Sequence, residues 1–177
     1  TLKWSEPLRA GSRYSHLKCI AAIVEALDMT NCKGSPTPIA CTRTAEEQNE
    51  EMLSPELVFF YRRCVGIARF MRTYRGDIKF AVKELSHGLA KPTEAGVRRL
   101  KKFARYLQHT ENDGVGLPRA GDLGELVGFG DSNWANDKIT RRSVSAGVLL
   151  NCDCILYDYA RSQAVPARSS SEAEWYS

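Results

Sequence analysis

The chain has 177 residues, 43% apolar and 26% charged, which is the balance of an ordinary globular protein and excludes wholesale disorder. No apolar run approaches the roughly 20 residues needed to cross a bilayer, so no helical membrane span and no membrane partner are expected. The net charge of +4 is unevenly spread: residues 55–110 carry thirteen Lys/Arg against four Asp/Glu, whereas residues 1–54 stand at −1 and residues 111–177 at −4. A basic middle beside an acidic end suits a protein that grips a polyanion next to a metal. A solvated helix face rich in Lys and Arg would read the same way.

The first residues, Thr1-Leu2-Lys3-Trp4, include no initiator Met and no secretory apolar segment, and read as internal to a longer chain. Leu17, Ile20, Ala21, Val24 and Leu27 then recur at helical spacing. A loop with two prolines follows (31–38), and Thr42 to Leu53, with Glu46, Glu47, Glu50 and Glu51, reads as an exposed acidic linker. Ser54-Pro55 caps a second helix whose apolar positions are Leu57, Tyr61, Cys64, Ala68 and Met71. A third helix is predicted from about Asp77, burying Ile78, Ala81, Val82 and Leu85, with Leu89 at its far end. A fourth follows Lys91-Pro92-Thr93, capped by Thr93, with the stripe Val97, Leu100, Ala104 and Leu107. Arg98, Arg99, Lys101, Lys102 and Arg105 occupy the rest of its surface.

After Gly114 the period changes. Leu126 to Gly130 is a short apolar strand ending on Asp131. In the next strand Val144, Ala146, Val148 and Leu150 alternate with Ser143, Ser145 and Gly147, which predicts a half-buried strand. Asn151-Cys152-Asp153-Cys154 turns into a third, where Ile155, Tyr157 and Tyr159 alternate, giving an antiparallel meander. Ser169 with Glu172, or Ser171 with Glu174, has the spacing of a capping box that starts a last helix. Six cysteines (19, 32, 41, 64, 152, 154) and three histidines show no metal-ligand spacing and read as reduced thiols of an intracellular protein.

Two strings carry chemistry. An Asp leaving a strand (Asp131) and a Glu on a following helix (Glu174) supply the hard oxygen ligands that a two-metal phosphodiesterase centre needs. Each has a plainer reading: Asp131 as a turn former, and Glu172 and Glu174 as acids at a helix N-terminus, a role that fits Glu172 better. Trp134 and Trp175 read as packing residues. Arg142, with Arg141 and Arg161, fits phosphate contact and plain surface equally, and the basic helices at 62–75 and 98–105 are the better candidates for tracking phosphates.

In their order along the chain these strings resemble copia-type LTR retrotransposon Pol. The resemblance runs through Asp28 to Lys33 with Thr37-Pro38, then Tyr61-Arg62 with Val65-Gly66, and Arg75-Gly76-Asp77-Ile78 with Phe80-Ala81-Val82. It continues through Lys91-Pro92-Thr93, Arg105-Tyr106-Leu107, Asp131-Ser132-Asn133-Trp134-Ala135, Arg142-Ser143-Val144-Ser145 and Ser169 to Trp175. It departs at Asn133, where an acid is common, at Gly76, where Pro is usual, and at Ala146, where Gly is usual; Gly76 is expected to loosen the turn into the third helix.

The resemblance implies an α/β fold: a helical connection followed by a truncated ribonuclease H-like domain of three antiparallel strands and the start of its first helix. Residues 1–53 would be the end of the reverse transcriptase and a linker, 54–112 the basic connection, and 122–177 the ribonuclease H part. It implies that the parent hydrolyses the RNA strand of RNA–DNA hybrids with Mg2+ or Mn2+ held by Asp131 and Glu174. Arg98, Arg99, Lys101, Lys102, Arg105 and Arg142 would contact nucleic acid. The partners implied are an RNA–DNA hybrid or other nucleic acid and the rest of the Pol polyprotein, in cytoplasmic virus-like particles or the nucleus. No Tyr-x-Asp-Asp polymerase string occurs and the later acids of a ribonuclease H site fall beyond Ser177, so the piece by itself is expected to be inactive. The strand 126–131 is expected to leave one edge unpaired. A non-catalytic, nucleic-acid-binding remnant of a decayed element is the alternative.

Overall fold

The apolar stripes of four helices close on one another to form the main core. The computed structural model describes residues 13–14, 17–39, 49–113, 115–116, 124–151 and 154–177. Helices α1 (Leu17–Ala26), α2 (Pro55–Met71), α3 (Lys79–Ser86) and α4 (Glu94–His109) bring together Ile23, Tyr61, Cys64, Val65, Met71, Val82, Leu85, Leu100, Phe103 and Leu107. Burying one such aliphatic or aromatic side chain contributes about 1.5–3 kcal/mol. Pro55 opens α2 at a position whose N–H needs no intrahelical acceptor, and the Thr93 side chain accepts from the Gly96 N–H at the start of α4, as predicted.

Several sequence expectations shift in detail. In α1 the buried face is Ile20, Ile23 and Val24, leaving Leu17 and Ala21 exposed, because the helix meets α2 and α4 from one side. In α2, Val58 and Val65 join the buried face and Leu57 points outward. The third helix starts later than Asp77: Gly76–Ile78 form a 3-10 turn that leads into α3. The acidic linker is not free in solvent at its described end. Glu50 accepts from the Ala95 N–H at 2.9 Å and pairs with Arg98 at 3.2 Å, and the Leu53 N–H donates to the Pro92 carbonyl at 3.0 Å. Residues 42–48 of that linker, and Cys152-Asp153 of the predicted turn, lie outside the described residues.

A two-residue ribbon pairs β1 (Arg13–Tyr14) with β2 (Val115–Gly116), antiparallel. The predicted meander is present as β3 (Leu126–Asn133), β4 (Val144–Asn151) and β5 (Cys154–Ser162), paired antiparallel in the order β3-β4-β5, followed by α5 (Ser170–Trp175). Strand β3 therefore occupies an edge of this sheet, as expected. It runs past Asp131, however, because Ser132 and Asn133 still pair with Ser145 and Val144. Asp131 lies within the strand rather than at its exit.

The predicted half-buried face holds at Val144, which is buried, and at half-buried Val148 and Leu150, but not at Ala146 and its serine neighbours. Ser143 and Ser145 are fully buried, while Ala146 is exposed. The small hydroxyl residues let α5 and the 134–143 loop approach closely, and their polar atoms are satisfied there. Gln163 donates through Nε2 to Ser145 Oγ (3.0 Å) and to the Ala173 carbonyl (2.8 Å), while the Ala135 N–H donates to Ser143 Oγ (3.1 Å). The face carrying Phe129, Ala146 and Val148 opens instead toward α3.

That face is tied to the helices through β5. Lys79 Nζ donates to the Asp158 carbonyl at 2.6 Å and pairs with its carboxylate. Gly76 makes the approach possible: a Cβ there would sit 2.5 Å from Asp158 Oδ2. The glycine permits close contact between turn and strand rather than merely loosening the turn. Cys19, Cys32, Cys64 and Cys154 are free thiols. Among the described residues no helix is long and apolar enough to cross a membrane.

Candidate nucleic-acid and metal site

The alternation of β3 assigns its side chains to faces. Asp131 pairs with Ala146, which pairs with Ala160, so the Asp131 side chain shares the face that opens toward α3. There it lines a cleft of about 420 Å³ with Lys79, Asp158, Phe80 and Phe129. Helix α5 approaches from the other face, seated through buried Ala173 against Gln163 and Ser145. The chain just past α5 also reaches β3, where the Ser177 hydroxyl donates to the Asp131 carbonyl at 2.9 Å. Glu174 lies one turn earlier. The structure thus brings together the elements that carry Asp131 and Glu174, at the strand edge, with both side chains exposed.

The plain reading of Glu172 holds. Ser169 Oγ accepts from the Glu172 N–H at 3.1 Å, Glu172 Oε2 accepts from the Arg168 N–H at 2.7 Å, and the Tyr176 hydroxyl donates to Glu172 Oε1 at 3.1 Å. Glu172 is occupied with the helix start, and of the two possible capping pairs the structure uses Ser169 with Glu172. The Tyr176 phenol is held above its usual range, first by that hydrogen bond and then by the nearby carboxylate charge. Trp134 donates its indole N–H to the Ala167 carbonyl at 2.9 Å, an edge-packing role, but Trp175 is 86% exposed. Among the described residues no group of three or more His, Cys, Asp or Glu side chains gathers closely enough to hold a metal ion. By type, the two carboxylates suit a hard divalent cation; by number, they make part of a site.

The basic candidates fall on two surfaces. On α4, Arg98, Lys101, Lys102 and Arg105 follow i, i+3, i+4, i+7 on the side opposite the buried Leu100, Phe103 and Leu107, a continuous cationic stripe. Glu50 engages Arg98 at its start, and Arg99 and Arg105 are half-buried. Arg142 is exposed in the 134–143 loop, which Asp137 organises by accepting from the Ile139 N–H (2.9 Å) and the Thr140 hydroxyl (2.9 Å).

Arg75, counted by sequence among the basic residues of 62–75, is not a surface group at all. It is 3% exposed and forks onto Asp77 (2.8 and 2.6 Å), while also donating to the Thr110 carbonyl (3.1 Å) and hydroxyl (2.8 Å). Tyr106 donates to Asp77 Oδ2 at 2.8 Å. Burial opposes the Asp77 charge, but Arg75 and Tyr106 outweigh it and hold the carboxyl below its usual range. Burial and donation to Asp77 push the Tyr106 phenol up to about 12. This clamp joins the 3-10 turn to the end of α4 and carries no free charge for a ligand. Arg75-Gly76-Asp77 and Arg105-Tyr106-Leu107 stood out separately in the sequence, but nothing in either string signals that they meet.

The comparisons with known proteins agree with the strings. The chain is 29% identical over 167 residues, 94% of its length, to the retrovirus-related Pol polyprotein from transposon RE1 of Arabidopsis thaliana. It is 28% identical over the same share to the uncharacterized mitochondrial protein AtMg00810 of the same plant, of which it covers 68%. It is 37% identical over 117 residues to secreted RxLR effector protein 161 of Plasmopara viticola, covering 81% of that protein. No family model and no solved structure matches it. The chain spans about a tenth of the Pol polyprotein from RE1, 11%. Aligned along almost its whole length with a transposon Pol polyprotein and carrying that group's strings in order, the chain is similar to retrovirus-related Pol polyproteins of plant transposons, consistent with a copia-type Pol fragment.

Proposed function

We propose that residues 54–112 form the basic connection ahead of a ribonuclease H domain, after the end of a reverse transcriptase in 1–53, and that residues 122–177 begin that domain. The reaction of the complete domain is hydrolysis of the RNA strand of an RNA–DNA hybrid. The observation that carries this reading is the contact between α5 and β3, with Ser177 just past the helix bonded to the Asp131 carbonyl, each element bearing one acid of the expected pair. Asp131 is held by its ladder partners in β4, and Glu174 by a helix whose start is capped by Ser169. The two would supply carboxylates for Mg2+ or Mn2+, an ion whose chemistry is to lower the pKa of a bound water and offset charge on the scissile phosphate. Arg98, Lys101, Lys102 and Arg105, with Arg99 and Arg142, supply cations for the backbone of the hybrid.

A second reading, a nucleic-acid-binding remnant without catalysis, is favoured by one observation: Asp131 and the seat of α5 lie on opposite faces of the sheet. Paramagnetic Mn2+ separates the two. In the isotopically labelled 177-residue chain, Mn2+ should broaden the amide signals around Asp131 and Glu174 together, and Asp131→Asn should relieve both. Broadening at one carboxylate alone, or at neither, removes the shared ion and leaves the second reading.

A further inference from the structure

Two of the clefts along strand β5 differ in charge. The one beside Asp131 is lined by three carboxylates (Asp77, Asp131, Asp158) and a single ammonium, Lys79, and disfavours an anion. The other, about 360 Å³, lies where the ends of α2 and α3 face β5 and is lined by Arg69, Arg72, Lys83 and His87 with Ala160 and Ser162. Among the described residues no carboxylate lines it. Lys83 is engaged at 2.8 Å by Glu84, which is 5% exposed, so its charge is largely offset locally. Arg69 and Arg72 are exposed, one turn apart on the same side of the end of α2, and have no acidic partner among the described residues. Two planar guanidinium groups over an open cleft that Ser162 also lines suit phosphate oxygens approached two at a time.

We propose that this junction cleft holds a phosphodiester of a nucleic-acid backbone through Arg69 and Arg72, so that the strand tracked by α4 is also gripped where the helices meet the sheet. The proposal rests on the nucleic-acid reading above and adds a second point of contact to it. The plainer role of both arginines is to complement the negative end of α2, which affects stability but not ligand binding.

Fluorescence anisotropy of a labelled RNA–DNA hybrid duplex, titrated with the 177-residue chain between low and physiological salt, distinguishes these. Arg69→Gln with Arg72→Gln should flatten the slope of log K against log salt by about 1.5–2 and weaken binding at intermediate salt about tenfold. Lys101→Gln with Lys102→Gln on α4 serves as the comparison. If that pair flattens the slope while the Arg69 and Arg72 pair keeps the wild-type slope, the cleft proposal is overturned and the nucleic-acid reading stands. If the wild-type chain binds no hybrid, the reading beneath it fails as well. Inorganic phosphate at constant ionic strength should leave hybrid binding unchanged; displacement through Arg69 and Arg72 would assign the cleft to free phosphate and overturn the proposal. A changed thermal midpoint with an unchanged slope returns both arginines to the helix end.

Discussion

Arg75 shows how a residue type misleads when its surroundings are unknown. In the sequence it belongs to a basic run; in the structure it is the buried centre of a clamp with Asp77, Tyr106 and Thr110. Removing one partner leaves a desolvated charge, so Tyr106→Phe should destabilise the protein by about 1.5 kcal/mol, the worth of a hydrogen bond to a charged group. The pH dependence follows from the directions of the shifts. The Tyr106 pKa is raised to about 12, so its contribution is intact below about 10 and is lost as pH rises through about 12. Asp77 is shifted down, so its contribution is present above the ordinary carboxylate range and is lost as pH falls below it. Chemical denaturation followed across alkaline pH should show the alkaline loss in the wild type and a smaller one in Tyr106→Phe.

Gly76 is the second residue whose meaning depends on its neighbour. A methyl group there would meet Asp158 Oδ2 at 2.5 Å and disturb the Lys79 pair. Gly76→Ala should cost about 1 kcal/mol, and much less when Asp158 is already Ala, a coupling that a double-mutant cycle in denaturant measures directly. Equal cost in both backgrounds would place the effect in the turn itself.

At the scale of elements, the strands carry the sharpest expectation. Among the described residues strand β3 pairs on one side only, with β4. The Asp131 carbonyl points to the open side, where Ser177 reaches it, and in an antiparallel ladder a residue's N–H points the same way as its carbonyl. Phe129 and Asp131 should therefore exchange amide hydrogens fast, and Gly130 and Ser132, facing β4, slowly. Slow exchange at all four would mean that another chain or segment covers the edge. The helices, by contrast, were largely legible: Ser54-Pro55, Thr93 and the 3.6-residue stripes placed α2 and α4 closely. Where the stripe differs, as at Leu57, the pattern offered two adjacent apolar positions, Leu57 and Val58, and only the neighbouring helices chose between them.

At the scale of the molecule, the charge division read from the sequence becomes a division of surfaces. The basic stripe of α4 and the Arg69 and Arg72 that line the junction cleft belong to the helices, while Asp131, Asp158 and Glu174 belong to the sheet and its last helix. Exposed apolar side chains occur on both faces of the sheet, Phe129 on one and Leu126 and Tyr157 on the other, and Trp175 is exposed on α5.

Local chemistry alone determined the helices, the antiparallel meander, the two acid-bearing strings and the resemblance to Pol polyproteins, because capping, periodicity and motif order are properties of neighbours along the chain. Tertiary structure alone decided that Ser143 and Ser145 are buried while Ala146 is not, that Arg75 is a clamp, and that Gly76 admits Asp158. It also decided which sheet face meets α5 and which meets α3. The reason is physical: alternation divides a strand into two faces, but which face is covered depends on what packs against it, and that partner is distant in sequence.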